Sequence, residues 1–436
     1  MYKLIKQILL FISIMSNIYD NALSIVLIFG LTILPFFVFM KPIIFINNRF
    51  LCKKQKKSVK KIVKKPNEKI KIGVLTNELP PIIYGGVSTW VLNFMKMFEE
   101  DPRYESIPIF LAYQDDAPDD FPEKYPGIRI IRNENEVYDA FKDIDICVNN
   151  LWIALNTIKQ IKALFPDMPL LSVCHSLIKM EHLTNLGSVY TNNYFEQEIT
   201  FEHSDFVILI SKAEKKYYTK FGYSNYKATP VVIYNMYCPK FDNEQVFKNY
   251  DNDNLGYIGR HVPRKRPELT LMSMLELNIP NTKVINMGVK FDGKDCYWKK
   301  MMKKYTDELE VIEFTCDKTK KQEFYDSIGG NVCSGIYEPF GYTVCETLDR
   351  RIPLIVGDID GPSEIVEAVK KYVYTYDVDK LDIEKDKQNL VGTLEKYYKL
   401  TPEEKKLNAE MARKCLDRFR PENIKTDWVK LFETFQ

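Results

Sequence analysis

The sequence predicts an α/β protein: two doubly wound parallel-sheet domains in tandem, preceded by a membrane-crossing helix. Three observations carry this expectation. From residue 70 onward, short apolar runs alternate with stretches of helical periodicity, as in a parallel sheet covered on both faces. The alternation restarts after a polar break, "YDNDN" at 250–254. Ahead of it all, "ALSIVLIFGLTILPFFVFM" at 22–40 contains no charged residue. A chain of 436 residues exceeds what one core usually holds, which also favours two domains.

The apolar stretch is long enough to cross a hydrocarbon core of roughly 30 Å as a helix, and Pro35 is tolerated there. It is longer than the ~7–15 residue core of a cleaved signal, and no small-x-small cleavage site follows. The expected organisation is an N-terminal segment (1–21), a transmembrane helix (22–46) and a basic linker (47–69). The linker holds eight lysines between 53 and 65. Subtracting them from the formal net charge of +2 leaves −6 for the rest, so the body is mildly acidic and unsuited to nucleic acid. Only Lys3 and Lys6 precede the span, whereas Lys41, Arg49 and the lysine collar follow it. The positive-inside rule then predicts a single-pass membrane protein with its body on the cytosolic side, and the collar is suited to anionic membrane lipids. Residues 4–18 are also apolar, though interrupted by Lys6 and Gln7. No N-x-S/T acceptor occurs, and the nine cysteines include no C-x-x-C pair. Both fit reduced thiols in the cytosol. With four histidines and no zinc spacing, no metal is expected.

The first domain (70–248) opens with the strand Ile70–Thr76 and a proline-rich loop. Gly85 and Gly86 then precede a helix with apolar Val87, Trp90, Val91, Phe94 and Met95, a helical spacing. Strands are expected near 107–111, 128–131, 144–148, 170–173, 206–210 and 231–233. In the second domain (249–415) they are expected near 255–258, 283–287, 309–314, 331–333, 353–356 and 372–374. Helices are expected at 267–277 and 343–350, with a charged helical tail from about 402. Open sheets of this kind bind ligands at the carboxyl ends of their strands.

Three segments there carry chemistry. "GYIGRHVPRKRPE" at 256–268 places Arg260, Arg264, Lys265 and Arg266 in one strand-to-helix loop, and four cations suit a diphosphate. Taken alone, a solvated basic loop is an equal choice. "SGIYEPFGYTVCE" at 334–346 puts Glu338 in a loop and starts a helix at Gly341, Tyr342 and Thr343. Free amides at a helix start attract an anion, and Glu346, one turn on, can accept two hydroxyl protons of a ribose. "GDIDGPSEIVEAV" at 357–369 reads as a tight turn with Ser363 as N-cap and Glu364 in the first turn, either as a capping acid or bonded to sugar hydroxyls. In the first domain, Gly85 and Gly86 lack a full G-x-G-x-x-G pattern and are a weak dinucleotide signal. His175 closes "LLSVCHSL", and a lone histidine is more often structural than functional.

Together these segments resemble the retaining GT-B glycosyltransferases of family 4 (glycosyl transferases group 1). Glu338 and Glu346 look like that family's E-x7-E signature, Arg260 and Lys265 like its phosphate loop, Gly85 and Gly86 like its N-terminal glycine loop, and His175 like its active-site histidine. The resemblance covers about residues 70–435. It implies two Rossmann-like domains facing a cleft, with the nucleotide-diphosphate sugar held mainly by the second, and a C-terminal helix (416–436) crossing back to the first. By this resemblance Glu338, His175, Arg260 and Lys265 are catalytic. Gly85, Gly86, Gly341, Tyr342, Thr343, Glu346 and Glu364 bind donor, no metal or other cofactor is required, and the acceptor is a glycan or a lipid-linked molecule. The chain departs from the family at Met236, where glycine is usual, and at "TLDRRIPLI" after Glu346, where small residues are usual. A catalytically inactive nucleotide- or glycan-binding protein, or a sugar-nucleotide epimerase on the same scaffold, is the alternative.

Overall fold

The computed structural model describes residues 61–65, 67–82, 85–112, 117–151, 155–185, 194–242, 247–288, 303–305, 307–313, 315 and 317–436. The expected membrane helix at 22–46 and the linker up to residue 60 lie outside them. Among the described residues no helix is long and apolar enough to cross a membrane.

Two parallel sheets organise the body. In the first, β1 (Ile70–Thr76), β2 (Tyr104–Leu111), β3 (Arg129–Ile131), β4 (Ile146–Asn149), β5 (Leu170–Cys174), β6 (Phe206–Leu209) and β7 (Thr229–Val232) lie in the order 3-2-1-4-5-6-7. In the second, β8 (Leu255–Ile258), β9 (Val284–Gly288), β10 (Leu309–Glu313), β11 (Gly330–Cys333), β12 (Leu354–Gly357) and β13 (Tyr374–Tyr376) lie in the order 10-9-8-11-12-13. Every pairing is parallel. Both sheets therefore reverse direction once, at β1/β4 and β8/β11, and such a reversal opens a crevice beyond the strand ends. The central strands are buried almost throughout, which explains their unbroken apolar runs, while the edge strands β3, β7, β10 and β13 are buried only in part. Several begin or end two or three residues from the expected limits, because backbone pairing, not hydropathy, sets the ends. Tyr104 and Glu105, for instance, extend β2 by pairing with Ile70 and Lys71.

Both sheets belong to one compact unit, residues 59–436. The helix Pro421–Glu433 packs on the first domain. Trp428 meets Trp90 and Phe94 at ring distances of 5.8 and 5.0 Å, and Phe432 meets Phe98 at 5.8 Å. The described end of the basic segment is fastened there too, by Ile62 N–H to Phe435 O (2.6 Å) and Lys64 to Asp145 (2.9 Å).

The charged departure after Glu346 has a packing reason. Asp349 is fully buried and accepts hydrogen bonds from Lys240 N–H (2.7 Å), Tyr237 Oη (3.2 Å) and Arg413 (3.0 Å). Arg350 lies over the rings of Tyr325 and Phe241, and Arg351 donates to Phe241 O and Asp242 O. The triplet grips the segment that joins the two domains.

Candidate functional site

The loops after β8 and β11, at the switch point of the second sheet, are stitched together by backbone. Ile336 N–H donates to Arg264 O (2.8 Å), and Ser334 Oγ donates to Lys265 O (3.0 Å) and Arg266 O (2.7 Å). This places the Lys265 ammonium in direct contact with the Glu338 carboxylate, with 19% and 24% of the side chains exposed. Burial, and then the guanidinium groups of Arg264 and Arg260, pull the Lys265 pKa down. Glu338 is fixed through its backbone, by Gly361 N–H to Glu338 O (3.1 Å) and by Glu338 N–H to Asp360 (3.4 Å).

Gly341 caps the helix Tyr342–Asp349 at φ 114°, a left-handed conformation that glycine adopts without penalty. The first-turn amides of this helix lack intrahelical acceptors. Lys265, Glu338, Gly341 and Thr343 line one small cavity of about 30 Å³, which Gly357 and Pro362 also line. Arg260 is exposed beside it. One turn along, Glu346 Oε2 accepts from Lys321 (2.6 Å) and Tyr325 (3.2 Å); neither partner was flagged by the sequence.

The first domain meets this site with a histidine, two glycines and an acid. His175, just past β5, bonds through Nε2 to Asn150 Oδ1 (2.8 Å), and Asn150 in turn donates to Leu75 O (3.3 Å). That orientation makes Nε2 the donor and leaves the Nδ1 lone pair free of this bond. Burial lowers the His175 pKa to about 3, and Trp90 packs edge-on against the ring at 5.4 Å. Gly86 opens its helix opposite Tyr342: a Cβ there would stand 3.6 Å from the Tyr342 ring. A Cβ on Gly85 would meet Glu78 Oε2 at 3.4 Å. Glu78 is an acid the sequence reading missed, and burial raises its pKa against the pull of Arg260.

Several expectations are corrected. Arg264 and Arg266 do not join a four-cation phosphate loop. Arg264 is buried against Glu181 (3.2 Å) and Tyr337 O (3.2 Å), and Arg266 pairs with buried Asp386. A buried guanidinium requires such partners, so Arg260 and Lys265 alone keep a cleft position. Glu364 is not among the donor-facing residues. Its carboxylate accepts from Lys212 N–H (3.0 Å), Ala213 N–H (2.7 Å) and Tyr234 Oη (2.6 Å). It caps the helix Lys212–Lys220 of the other domain, where an acid complements the free amides. Ser363 is no N-cap, because the helix begins at Asp360 and Ser363 Oγ bonds Asp358. The start of this helix is instead set by close approach at Gly361: a Cβ there would lie 2.4 Å from Phe340 O.

With this geometry in view, comparison with known proteins is informative. Residues 240–408, which hold β8–β13 and both loops, match the family model Glycosyl transferases group 1. The protein is a glycosyltransferase of the GT-B fold. The Anabaena protein Alr3699/HepE, solved with UDP and glucose, shares 18% identity over 84% of this glycosyltransferase and 99% of its own chain, with a TM-score of 0.63. Sucrose-phosphate synthase from Thermosynechococcus elongatus shares 17% over 83% and 98%, with a TM-score of 0.66. The catalytic domain of starch synthase IV from Arabidopsis thaliana, bound to ADP and acarbose, shares 12% over 84% and 99%, with a TM-score of 0.60. At these identities the likeness is one of fold. No curated protein sequence matches the glycosyltransferase.

Proposed function

We propose that the protein is a membrane-anchored, retaining glycosyltransferase of family 4. It moves a sugar from a nucleotide-diphosphate sugar to a glycan or lipid-linked acceptor at the cytosolic face, without a metal ion. The observation that carries this reading is the meeting of Lys265, Glu338, Gly341 and Thr343 around one cavity. The lysine and the glutamate pair with each other. Donor entry separates them: the diphosphate takes Lys265 and the helix amides, and a sugar hydroxyl takes Glu338. Glu346 then receives the ribose hydroxyls.

As the bond from the anomeric carbon to the leaving oxygen breaks, its electron pair goes to the diphosphate. Lys265, Arg260 and the start of the helix Tyr342–Asp349 stabilise that growing charge, the largest electrostatic contribution such a site can make. The acceptor oxygen bonds to the anomeric carbon on the same face and passes its proton to the departing phosphate. His175, neutral at physiological pH, accepts a hydrogen bond from a donor-sugar hydroxyl at Nδ1 and does not act as a cation. The membrane anchor and its orientation rest on the uncharged stretch at 22–40 and the lysines after it.

The test incubates the full-length chain, in mild detergent, with UDP-glucose, UDP-N-acetylglucosamine, GDP-mannose and ADP-glucose in EDTA, and measures nucleoside diphosphate release. Release that disappears in Lys265→Met supports the reading. Strict dependence on added metal, or binding without release, defeats it. The anomeric configuration of the transferred sugar, read by NMR, decides retention.

A further inference from the structure

A second cluster lies directly behind the site and joins the two domains. From the second domain, Tyr337 is completely buried and Arg264 is 3% exposed. The Tyr337 hydroxyl accepts from Leu177 N–H (2.9 Å) and lies 3.3 Å from Ser176 Oγ. Arg264 Nη2 pairs with Glu181 (3.2 Å), which also accepts from Ser176 Oγ (2.8 Å). The other end of the Arg264 fork, Nη1, donates to Tyr337 O (3.2 Å), so both second-domain members brace each other. Leu177 N–H reaches Glu214 Oε2 as well (3.2 Å).

Four of its members lie beside donor-site candidates in the sequence. Ser176 and Leu177 follow His175, Arg264 precedes Lys265, and Tyr337 precedes Glu338. Thus in each segment one residue faces the cleft while its neighbour enters the cluster. A buried, hydrogen-bonded ion pair is costly to break from one side, so the cluster resists relative movement of the segments it joins.

We propose that Tyr337 and Arg264 are positioning residues: from the second domain they fix the turn that carries His175, so that His175, Lys265 and Glu338 keep one geometry across the cleft. This rests on reading those three as donor-site residues. Neither positioning residue touches the donor. Their removal should leave nucleotide binding intact, since Lys265, Gly341 and Glu346 stay on one domain, and should impair only the step that needs His175.

The experiment uses the full-length chain with ¹³C-labelled histidine, with the His175 signal assigned by His175→Gln. In the wild type, His175 should not titrate above pH 5, because burial lowers its pKa to about 3. In Tyr337→Phe and Arg264→Met it should titrate near the ordinary histidine range, about 6.5. In the donor assay, kcat should fall about tenfold with KM and UDP, GDP or ADP affinity unchanged. Adding His175→Ala to Tyr337→Phe should cost nothing beyond His175→Ala alone, as expected of residues acting as a unit. Should either variant unfold, Ser176→Ala is read in the same way. An untitrated His175 in the variants, a multiplicative loss in the double variant, or nucleotide affinity falling in step with turnover overturns the proposal. If the wild type releases no nucleotide from any donor, the proposed function fails, while the imidazole titration still decides the positioning role.

Discussion

The two faces of the cleft are built on the same strand order yet use opposite chemistry. The second domain presents charge and helix amides: Lys265 against Glu338, Arg260 at the rim, and Gly341 opening a helix. The first domain presents a neutral imidazole oriented by an amide side chain, and a glycine that lets a tyrosine ring approach. One face can hold an anion and stabilise charge as it develops. The other orients a neutral imidazole toward the cleft. A shared topology decides where a site lies, and the loop residues decide what it does.

The sharpest way to break this contrast is Lys265→Met. If charge resides on the second face, nucleotide release should fall about 10²–10³-fold, comparable with removing one preorganised donor to a developing anion. His175→Ala should cost about tenfold in kcat, without loss of nucleotide affinity. The wild-type rate should also show no acid limb near pH 6.5, because a group with a pKa of about 3 is already neutral there. Glu338→Gln should tighten binding of the free nucleoside diphosphate about two- to fivefold by calorimetry, the worth of a partly exposed ion pair, because the internal competitor for Lys265 is gone. Weaker binding would mean that Glu338 and the diphosphate do not compete.

A stability readout concerns Glu214, which faces Leu177 N–H, Tyr337, Asp360 and Glu181. Burial pushes its carboxyl up to about 8, above about 4.3 in the unfolded chain. The folded state therefore holds the proton more tightly. The resulting stability is complete below about pH 4 and is lost as pH rises through 8. The melting temperature should decline between pH 5 and 9, and Glu214→Gln should flatten that decline.

The charged half of the site was legible because charge and glycine are scarce at strand ends and stand out against apolar runs. Lys265, Glu338, Gly341 and Thr343 could be marked from spacing and meet around one cavity. The same scarcity misled at Arg264, Arg266 and Glu364, where charge serves burial or capping across the domain boundary. Asn150, Tyr337, Glu181 and Lys321 gave no signal. Their importance comes from long-range partners between 25 and 161 residues away in the chain, as Lys321 to Glu346 and Tyr337 to Ser176, and no local pattern records such a partner. The carboxyl end of β4 held the one available hint, since Asn149 and Asn150 are two amides in succession at a switch point.

By itself the sequence determined the two alternating α/β halves, the strand-to-helix loops that bear cations and carboxylates, and the glycine that starts the Tyr342 helix. Each of these follows from local periodicity or from the backbone freedom of one residue. Only the tertiary structure decided which cations face the cleft, that Glu364 serves the other domain, and that Asp349 grips the connecting segment. Those outcomes depend on whether a buried charge finds its partner, and the partners come from distant parts of the chain.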